Sequence, residues 1–293
     1  MERVLENIYL VDTLKYVEPG TISAYVIELE KAVVVDPGTV KGANILLEEL
    51  EKAGIKDKLE YIANTHIHID HAGGSCVLVK HTNAKVIVHP KGAKHVINPT
   101  KLWESSKVVL GELAEVYGKP EPIDENRVIS AEDGQKFDLG GDVLTAYYAP
   151  GHAPHMLAYH LEKSKVLFPD DAVGLYFEGS IFPTTPPPFD MEQALNTIER
   201  LMKLDFEYVA FAHFGITEEK EILKQAYDKI VMWGELAEKV VREGGNINDL
   251  ISRILEADGD ARRLKDKFKD RPIAMGFIQV AAAGLFDYAK KKV

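Results

Sequence analysis

The chain holds a single cysteine, Cys76, among 293 residues. That excludes an intramolecular disulfide framework and any cysteine-rich zinc module, and it fits a reducing compartment. Positive charge is also scarce. Lys and Arg number 35 against 46 Asp and Glu, a formal net charge of −11, and the basic run that stands out is Lys290 to Lys292. A phosphate-backbone surface needs clustered Lys and Arg, so nucleic acid is not an expected partner, and the lysine run reads as a solvated tail. Long apolar runs are missing too. No stretch reaches the roughly 18 apolar residues of a membrane span. The nearest, 273–288, carries Gln279 inside and Asp287 near its end and reads as a buried helix. Met1-Glu2-Arg3-Val4-Leu5-Glu6-Asn7 shows no basic region leading into an apolar block, so no secretory leader is expected. These absences together predict a soluble, cytoplasmic protein with no membrane partner.

What remains is an ordinary globular composition. Hydrophobic residues make up 46% and charged residues 28%, which excludes a disordered chain. The length allows one large domain, or one domain with an appendage. The first half reads as short strands joined by turns: 7–13, 23–28 and 31–36 are rich in Val, Ile and Tyr and are punctuated by Pro19-Gly20 and Pro37-Gly38. Residues 41–53 have apolar positions at helical spacing. A strand over 61–65 leads into His66-Ile67-His68-Ile69-Asp70-His71, a helix opens near Gly73, and 85–89 is a strand again. Residues 92–126, with Trp103, Tyr117 and three prolines, read as a helical excursion. Strands resume over 136–139, 142–148, 156–161 and 165–168. The proline-rich 179–190 reads as an extended loop, 191–203 as an amphipathic helix and 208–212 as a buried strand. After His213 the pattern turns helical, over 218–242, 247–257 and 273–290. A soft boundary near residue 216 divides a mixed α/β domain, 1–216, from a helical appendage, 217–293.

Three His and one Asp fall within six residues of one strand end, in a chain with only ten His. A lone His is usually a packed or surface residue; four candidate ligands on one loop are not explained that way. Zinc-type ions take neutral imidazole and carboxylate. The spacing of two does not suit one helix face, where ligands four apart would be needed, but it suits a loop leaving a strand. Further candidates stand at other predicted strand ends: His152, Asp170, Asp171 and His213. Loops at one sheet edge commonly deliver catalytic groups, and together these residues are enough for two metals.

The run His66-x-His68-x-Asp70-His71, followed by Gly73-Gly74, resembles the signature of the metallo-β-lactamase fold superfamily. Val34-Val35-Asp36-Pro37-Gly38 resembles the family's early aspartate turn. Ala149 to Pro154, Leu167 to Ala172 and Ala212 to Gly215 resemble its later metal motifs, so the likeness spans about residues 7–216. The resemblance implies a four-layer αββα sandwich with a C-terminal helical appendage. It implies that His66, His68 and His152 hold one metal, that Asp70, His71 and His213 hold a second, and that Asp171 bridges them with a water or hydroxide. Asp171 precedes Ala172, as the motif's Asp usually precedes a small residue; Asp170 stands where the family has Gly and reads as a partner behind the ligands. His155 also stands where many members have Gly. Asp36 is expected to hold the metal loop from behind.

The stretch from His152 onward looks closest to a hydrolase branch that includes quinolone-signal response thioesterase-like and glyoxalase II-like proteins. This implies hydrolysis of a small ester, thioester, lactone or phosphoester. Two close metals lower the pKa of a shared water toward neutrality, and the hydroxide is then the nucleophile. Asp70 is the expected catalytic side chain, orienting the hydroxide or passing a proton to the leaving group. Two divalent ions are expected, zinc by default, with iron or manganese as alternatives; the absence of a Cys ligand disfavours a zinc β-lactamase of the commonest kind. A mononuclear iron persulfide dioxygenase using His66, His152 and Asp171, and a metal-binding signalling protein without turnover, are the competing readings. The C-terminal helices are expected to form either a lid or a homodimer interface.

Overall fold

The computed structural model describes the backbone of all 293 residues and the side chains of all but residues 272 and 274. The chain runs through β1 (Glu2–Leu5), β2 (Ile8–Asp12), β3 (Ser23–Glu28), β4 (Ala32–Val35), α1 (Val40–Lys52), β5 (Leu59–Ala63), α2 (Ser75–His81) and β6 (Lys85–Val88). The excursion follows as α3 (Pro90–Ile97), α4 (Thr100–Leu110) and α5 (Glu112–Tyr117). Next come β7 (Val128–Ser130), β8 (Gln135–Asp138), β9 (Val143–Tyr148), β10 (Leu157–Leu161), β11 (Val166–Phe168), β12 (Leu175–Phe177) and β13 (Ser180–Phe182). Last are α6 (Met191–Leu201), β14 (Tyr208–Phe211), β15 (Gly215–Thr217), α7 (Ile222–Arg242), α8 (Ile247–Ala257), α9 (Gly259–Phe268) and α10 (Pro272–Lys292).

Two sheets stack face to face, one ordered β1 to β7 in sequence and the other β15-β14-β11-β10-β9-β8. Period-two alternation assigns each strand's side chains to a layer. Tyr25, Ile27, Val33 and Val35 enter the core between the sheets, where they meet Leu144, Leu157, Tyr159 and Phe168 of the second sheet. The intervening residues, Ala24, Val26, Ala32 and Val34, face the other way, onto Leu46 and Leu50 of α1. On the far side, Ala158, Leu167 and Val209 pack against Ile198 of α6 and Trp233 of α7. The result is the four-layer αββα sandwich, with helices α7 to α10 continuing the outer layer that α6 begins. No described helix is long and apolar enough to cross a membrane.

Trp233 is the hub of that outer layer. It is fully buried, and its indole N–H donates to Asp258 Oδ2 at 3.0 Å. Asp258 also accepts from the N-terminal amides of α9 and pairs with Lys229 at 3.1 Å. The buried carboxylate is therefore satisfied from three directions, as a buried charge requires.

Three elements depart from the sequence expectation. β1 is a short edge strand whose residues are only partly covered. The segment read as an extended loop opens with β13, which pairs antiparallel with β12. Helix α9 fills the gap between the two predicted C-terminal helices; only Ala261, Leu264 and Phe268 of it are buried.

Candidate metal centre

The loops that leave β4, β5, β9, β11 and β14 converge at one edge of the sandwich. Close approach fixes the loop after β5. The amide of Gly38 donates to His71 O at 2.9 Å and that of Gly74 to Gly38 O at 2.7 Å. A Cβ on Gly74 would lie 2.5 Å from Ala43 Cβ and 2.9 Å from Pro37 O, and one on Gly73 would collide with Ile69 O. Gly74 is thus dictated by the contact between this loop, the Pro37-Gly38 turn and α1, and Gly73 by the loop's own Ile69 carbonyl.

All seven residues expected to hold metal lie in one cluster, five of them buried and His68 and Asp70 half-buried, and their candidate ligand atoms form close groups. His66, His68, His152 and Asp171 form one group, and Asp70, His71 and His213 another, each with all its donor atoms within 4.8 Å of one another. The imidazoles meet nitrogen to nitrogen: His66 Nε2 is 2.8 Å from His68 Nδ1, which is 3.2 Å from His152 Nε2. His71 Nε2 is 3.2 Å from His213 Nε2. Asp171 lies between the groups, its Oδ2 3.3 Å from His152 Nε2 and 3.6 Å from His71 Nε2, its Oδ1 3.9 Å from His213 Nε2.

The opposite nitrogens are tied outward. His152 Nδ1 meets Thr184 O at 2.8 Å, His213 Nδ1 meets Thr21 O at 2.8 Å, and His71 Nδ1 meets Asp170 Oδ2 at 3.0 Å. His66 Nδ1 is 3.1 Å from Thr65 Oγ1. Such outward bonds fix the tautomer and leave the inner nitrogen's lone pair directed at the centre, as behind metal-ligating histidines. The inner nitrogens have mostly one another for neighbours, and Asp171 Oδ1, although buried, has no hydrogen-bond partner among the described residues. Ring nitrogens crowded round a buried, unpartnered carboxylate oxygen are a donor set fit for a cation. The donor set, imidazole and carboxylate without sulfur, is fit for divalent metal.

Electrostatics points the same way. Burial, and then the neighbouring His152, holds His68 down to about 4. Burial likewise holds His152 at about 4 and His66 well below the ordinary histidine range. These three are neutral bases at pH 7. His71 is different: burial alone would lower it, but the carboxylates of Asp170 and Asp70 overcome that and hold it well above the usual value. Asp170 at His71 Nδ1, 3.0 Å away, and Asp70, 3.8 Å from its Nε2, thus favour positive charge at this ring.

Behind the ligands, Asp36 and Asp170 both adopt the left-handed backbone region, at φ 47° and 49°. That conformation costs a non-glycine residue on the order of 1 kcal/mol. It brings both carboxylates onto Thr65. The Thr65 hydroxyl lies 2.6 Å from Asp36 Oδ2 and 2.5 Å from Asp170 Oδ2, and the Thr65 amide donates to Asp36 Oδ1 at 2.8 Å. One hydroxyl proton cannot serve two carboxylates, and burial together with Asp170 pushes Asp36 up to about 8. Asp36 thus holds the metal loop from behind through Thr65, and Asp170 through Thr65 and His71. Sequence reasoning missed Thr65, although it directly precedes His66 at the strand end. It also missed the carbonyls of Thr21 and Thr184, main-chain groups that carry no side-chain signal.

The His155 ring stacks 6.3 Å from that of His66, while His81, His89, His95 and His160 lie outside both ligand groups. Tyr176 stacks on Phe211 at 5.1 Å. Trp103 and Tyr117 pack with Leu14, Ile22 and Ile69 beneath the excursion.

The model of the metallo-β-lactamase superfamily matches residues 17–213. The metallo-β-lactamase fold-containing protein of Sulfurisphaera tokodaii is 39% identical over 180 residues, covering 59% of this chain and 68% of that one. The crystal structure of this archaeal superfamily protein aligns with a TM-score of 0.68 at 32% identity, over 77% of this chain and 86% of that one. A hydroxyacylglutathione hydrolase of Hyphomonas neptunium is 28% identical over 250 residues, 82% of this chain and 81% of the relative. A metallo-β-lactamase family protein from Thermus thermophilus shares the fold over 99% of this chain and 95% of its own, with a TM-score of 0.68 at 19% identity. By matched family, fold and donor cluster, the chain belongs to the metallo-β-lactamase superfamily and is a metal-dependent hydrolase of that family.

Proposed function

We propose that the protein is a binuclear hydrolase of a small ester or thioester, with lactones and phosphoesters as the neighbouring substrate classes. The observation that carries this reading is the doubling of the donor set. His66 Nε2, His68 Nδ1 and His152 Nε2 would hold one ion; Asp70, His71 Nε2 and His213 Nε2 would hold the other, with Asp171 between. A mononuclear dioxygenase of the same fold would use His66, His152 and Asp171, and the metal count per chain separates the two. Divalent metal held by these residues would supply an acidified water and a Lewis acid toward the substrate oxygen. Zinc is the default metal, with iron or manganese as alternatives.

The chain's own groups do the rest. The outward bonds to Thr21, Thr184 and Asp170 hold the imidazoles in place, so no reorganisation is needed as charge develops. Asp70 is the most exposed carboxylate of the set, its side chain 21% accessible against 6% for Asp171. It therefore reaches both the second metal position and the substrate side, and is the group that passes a proton to the leaving oxygen or sulfur. The thioester class draws support from the hydroxyacylglutathione hydrolase named above.

The test is a hydrolysis panel of one ester, one thioester, one lactone and one phosphoester with protein reconstituted separately with zinc, manganese and iron. The reading expects turnover of at least one carbonyl substrate that chelator abolishes and metal restores. Oxygen consumption with persulfide, and no hydrolysis by any metal form, would overturn it.

A further inference from the structure

The loop between β2 and β3 carries the carbonyl that orients His213. Thr21 O lies 2.8 Å from His213 Nδ1. On either side of Thr21 the loop is tied to its own strand end. The Gly20 amide donates to Asp12 Oδ2 at 2.8 Å, and the Thr13 amide donates to Ile22 O at 2.9 Å. Thr21 is buried, and among the described residues its side chain takes its hydrogen bond from Arg271, 250 residues along the chain.

Arg271 stands in the turn between α9 and α10, with its backbone fixed from both sides. Its amide donates to Phe268 O at 2.7 Å, and its carbonyl accepts from the Met275 amide at 3.0 Å. Its guanidinium lies 4.5 Å over the Phe268 ring. From this base the side chain spans the loop. Nε donates to Glu18 Oε1 at 3.2 Å, and Nη2 donates to Pro19 O at 2.7 Å and to Thr21 Oγ1 at 2.9 Å. Glu18 is buried and also accepts from the Ile273 amide at 3.2 Å. A planar fork holds several acceptors at once with little loss of freedom, so one side chain ties three residues of the loop to the head of α10. The helices reach the ligand itself as well, since the Phe277 ring lies 5.1 Å from the His213 imidazole.

We propose that Arg271 is a positioning residue for the second metal site. It holds Thr21 so that the Thr21 carbonyl keeps His213 with its proton on Nδ1 and Nε2 free to ligate. The C-terminal helices are then part of the metal centre rather than a separate appendage. The path is specific to the second donor group. Helix α10 meets the first by a different contact, Thr185 Oγ1 to Ala281 O at 2.6 Å, next to the Thr184 carbonyl that orients His152. A change confined to Arg271 leaves that contact in place. The second ion itself rests on the binuclear reading above.

The test uses the full chain, treated with chelator, in two measurements. The first is zinc titration against a competing chelator. Arg271→Gln is expected to weaken one of the two ions about tenfold or more and to leave the other within about twofold. The second needs no metal: long-range ¹⁵N–¹H NMR reads which nitrogen of His213 carries the proton. Wild type is expected to show Nδ1–H alone, and Arg271→Gln a mixture of both tautomers. Thr21→Val removes the acceptor of Arg271 while keeping the side-chain shape and the carbonyl. It is expected to act in the same direction in both measurements, and it carries the test should Arg271→Gln fold poorly. Lys269→Ala, an exposed position two residues before Arg271, is expected to change neither. An unchanged His213 tautomer in both variants, or equal weakening of both ions, would overturn the proposal. A wild type that takes up one ion loses the binuclear reading, while the tautomer comparison still decides whether Arg271 positions His213.

Discussion

Replacing Thr65 by Val should loosen the metal centre from behind without touching a ligand. The two side chains have the same shape, so no cavity opens in a residue that is fully buried. What disappears is the hydroxyl that lies 2.6 Å from Asp36 and 2.5 Å from Asp170. A hydrogen bond to a charged group contributes about 1.5–3 kcal/mol. Asp36 keeps the Thr65 amide at 2.8 Å and Asp170 keeps His71 Nδ1 at 3.0 Å, so the net loss is put at about 2–4 kcal/mol. At roughly 2 °C per kcal/mol for a chain of this size, chelator-treated protein should melt about 4–8 °C lower. Because His71 is oriented by Asp170, metal affinity should also fall about 10–100-fold. The assays are denaturant unfolding in chelator and competitive zinc titration. Thr65→Ser restores the hydroxyl and should recover the metal affinity, with a stability loss of about 1 kcal/mol for the missing methyl. If Thr65→Val unfolds within 0.5 kcal/mol of the wild type and binds zinc equally well, the coupling between Thr65, the two aspartates and His71 is refuted.

Further predictions address the site and the scaffold. His213→Ala should lower metal content from two ions to one, and lower kcat by about two orders of magnitude or more; elemental analysis and steady-state rates check both. Gly74→Ala should cost about 1–3 kcal/mol, because the new Cβ would lie 2.5 Å from Ala43 Cβ and 2.9 Å from a backbone carbonyl; urea unfolding measures it. Trp233→Phe removes the donor to Asp258 Oδ2 and part of a fully buried ring, and should destabilise by about 2–3 kcal/mol, visible as a lower midpoint at unchanged denaturant slope. Adding zinc at a hundred times its Kd for the chelator-treated protein should raise stability by about 2.7 kcal/mol per site, readable as a concentration-dependent rise in Tm.

The two-sheet core was legible because its strands are short runs rich in Val, Ile and Tyr set off by Pro-Gly turns. β4 is apolar throughout because both its faces are buried, Val33 and Val35 in one layer and Ala32 and Val34 in the other. The β12–β13 hairpin was not, because each strand is three residues long and too short to display a period. Helix α9 buries Ala261, Leu264 and Phe268, a correct helical spacing that its charged remainder hides. At the site, the residue types and their strand-end positions were legible, since four candidate ligands on one loop have no simpler explanation. The groups that orient them were not. Thr65 gains its role only when Asp170, 105 residues away, turns back onto it, and the carbonyls of Thr21 and Thr184 leave no mark on the sequence.

Two ions sharing one cluster are the centre of the proposed chemistry. Elemental analysis of metal per chain, on protein purified with neither added metal nor chelator, tests this directly. Two zinc ions, or two ions of a similar divalent metal, are expected per chain. One iron per chain, unchanged in His213→Ala, would contradict the binuclear site.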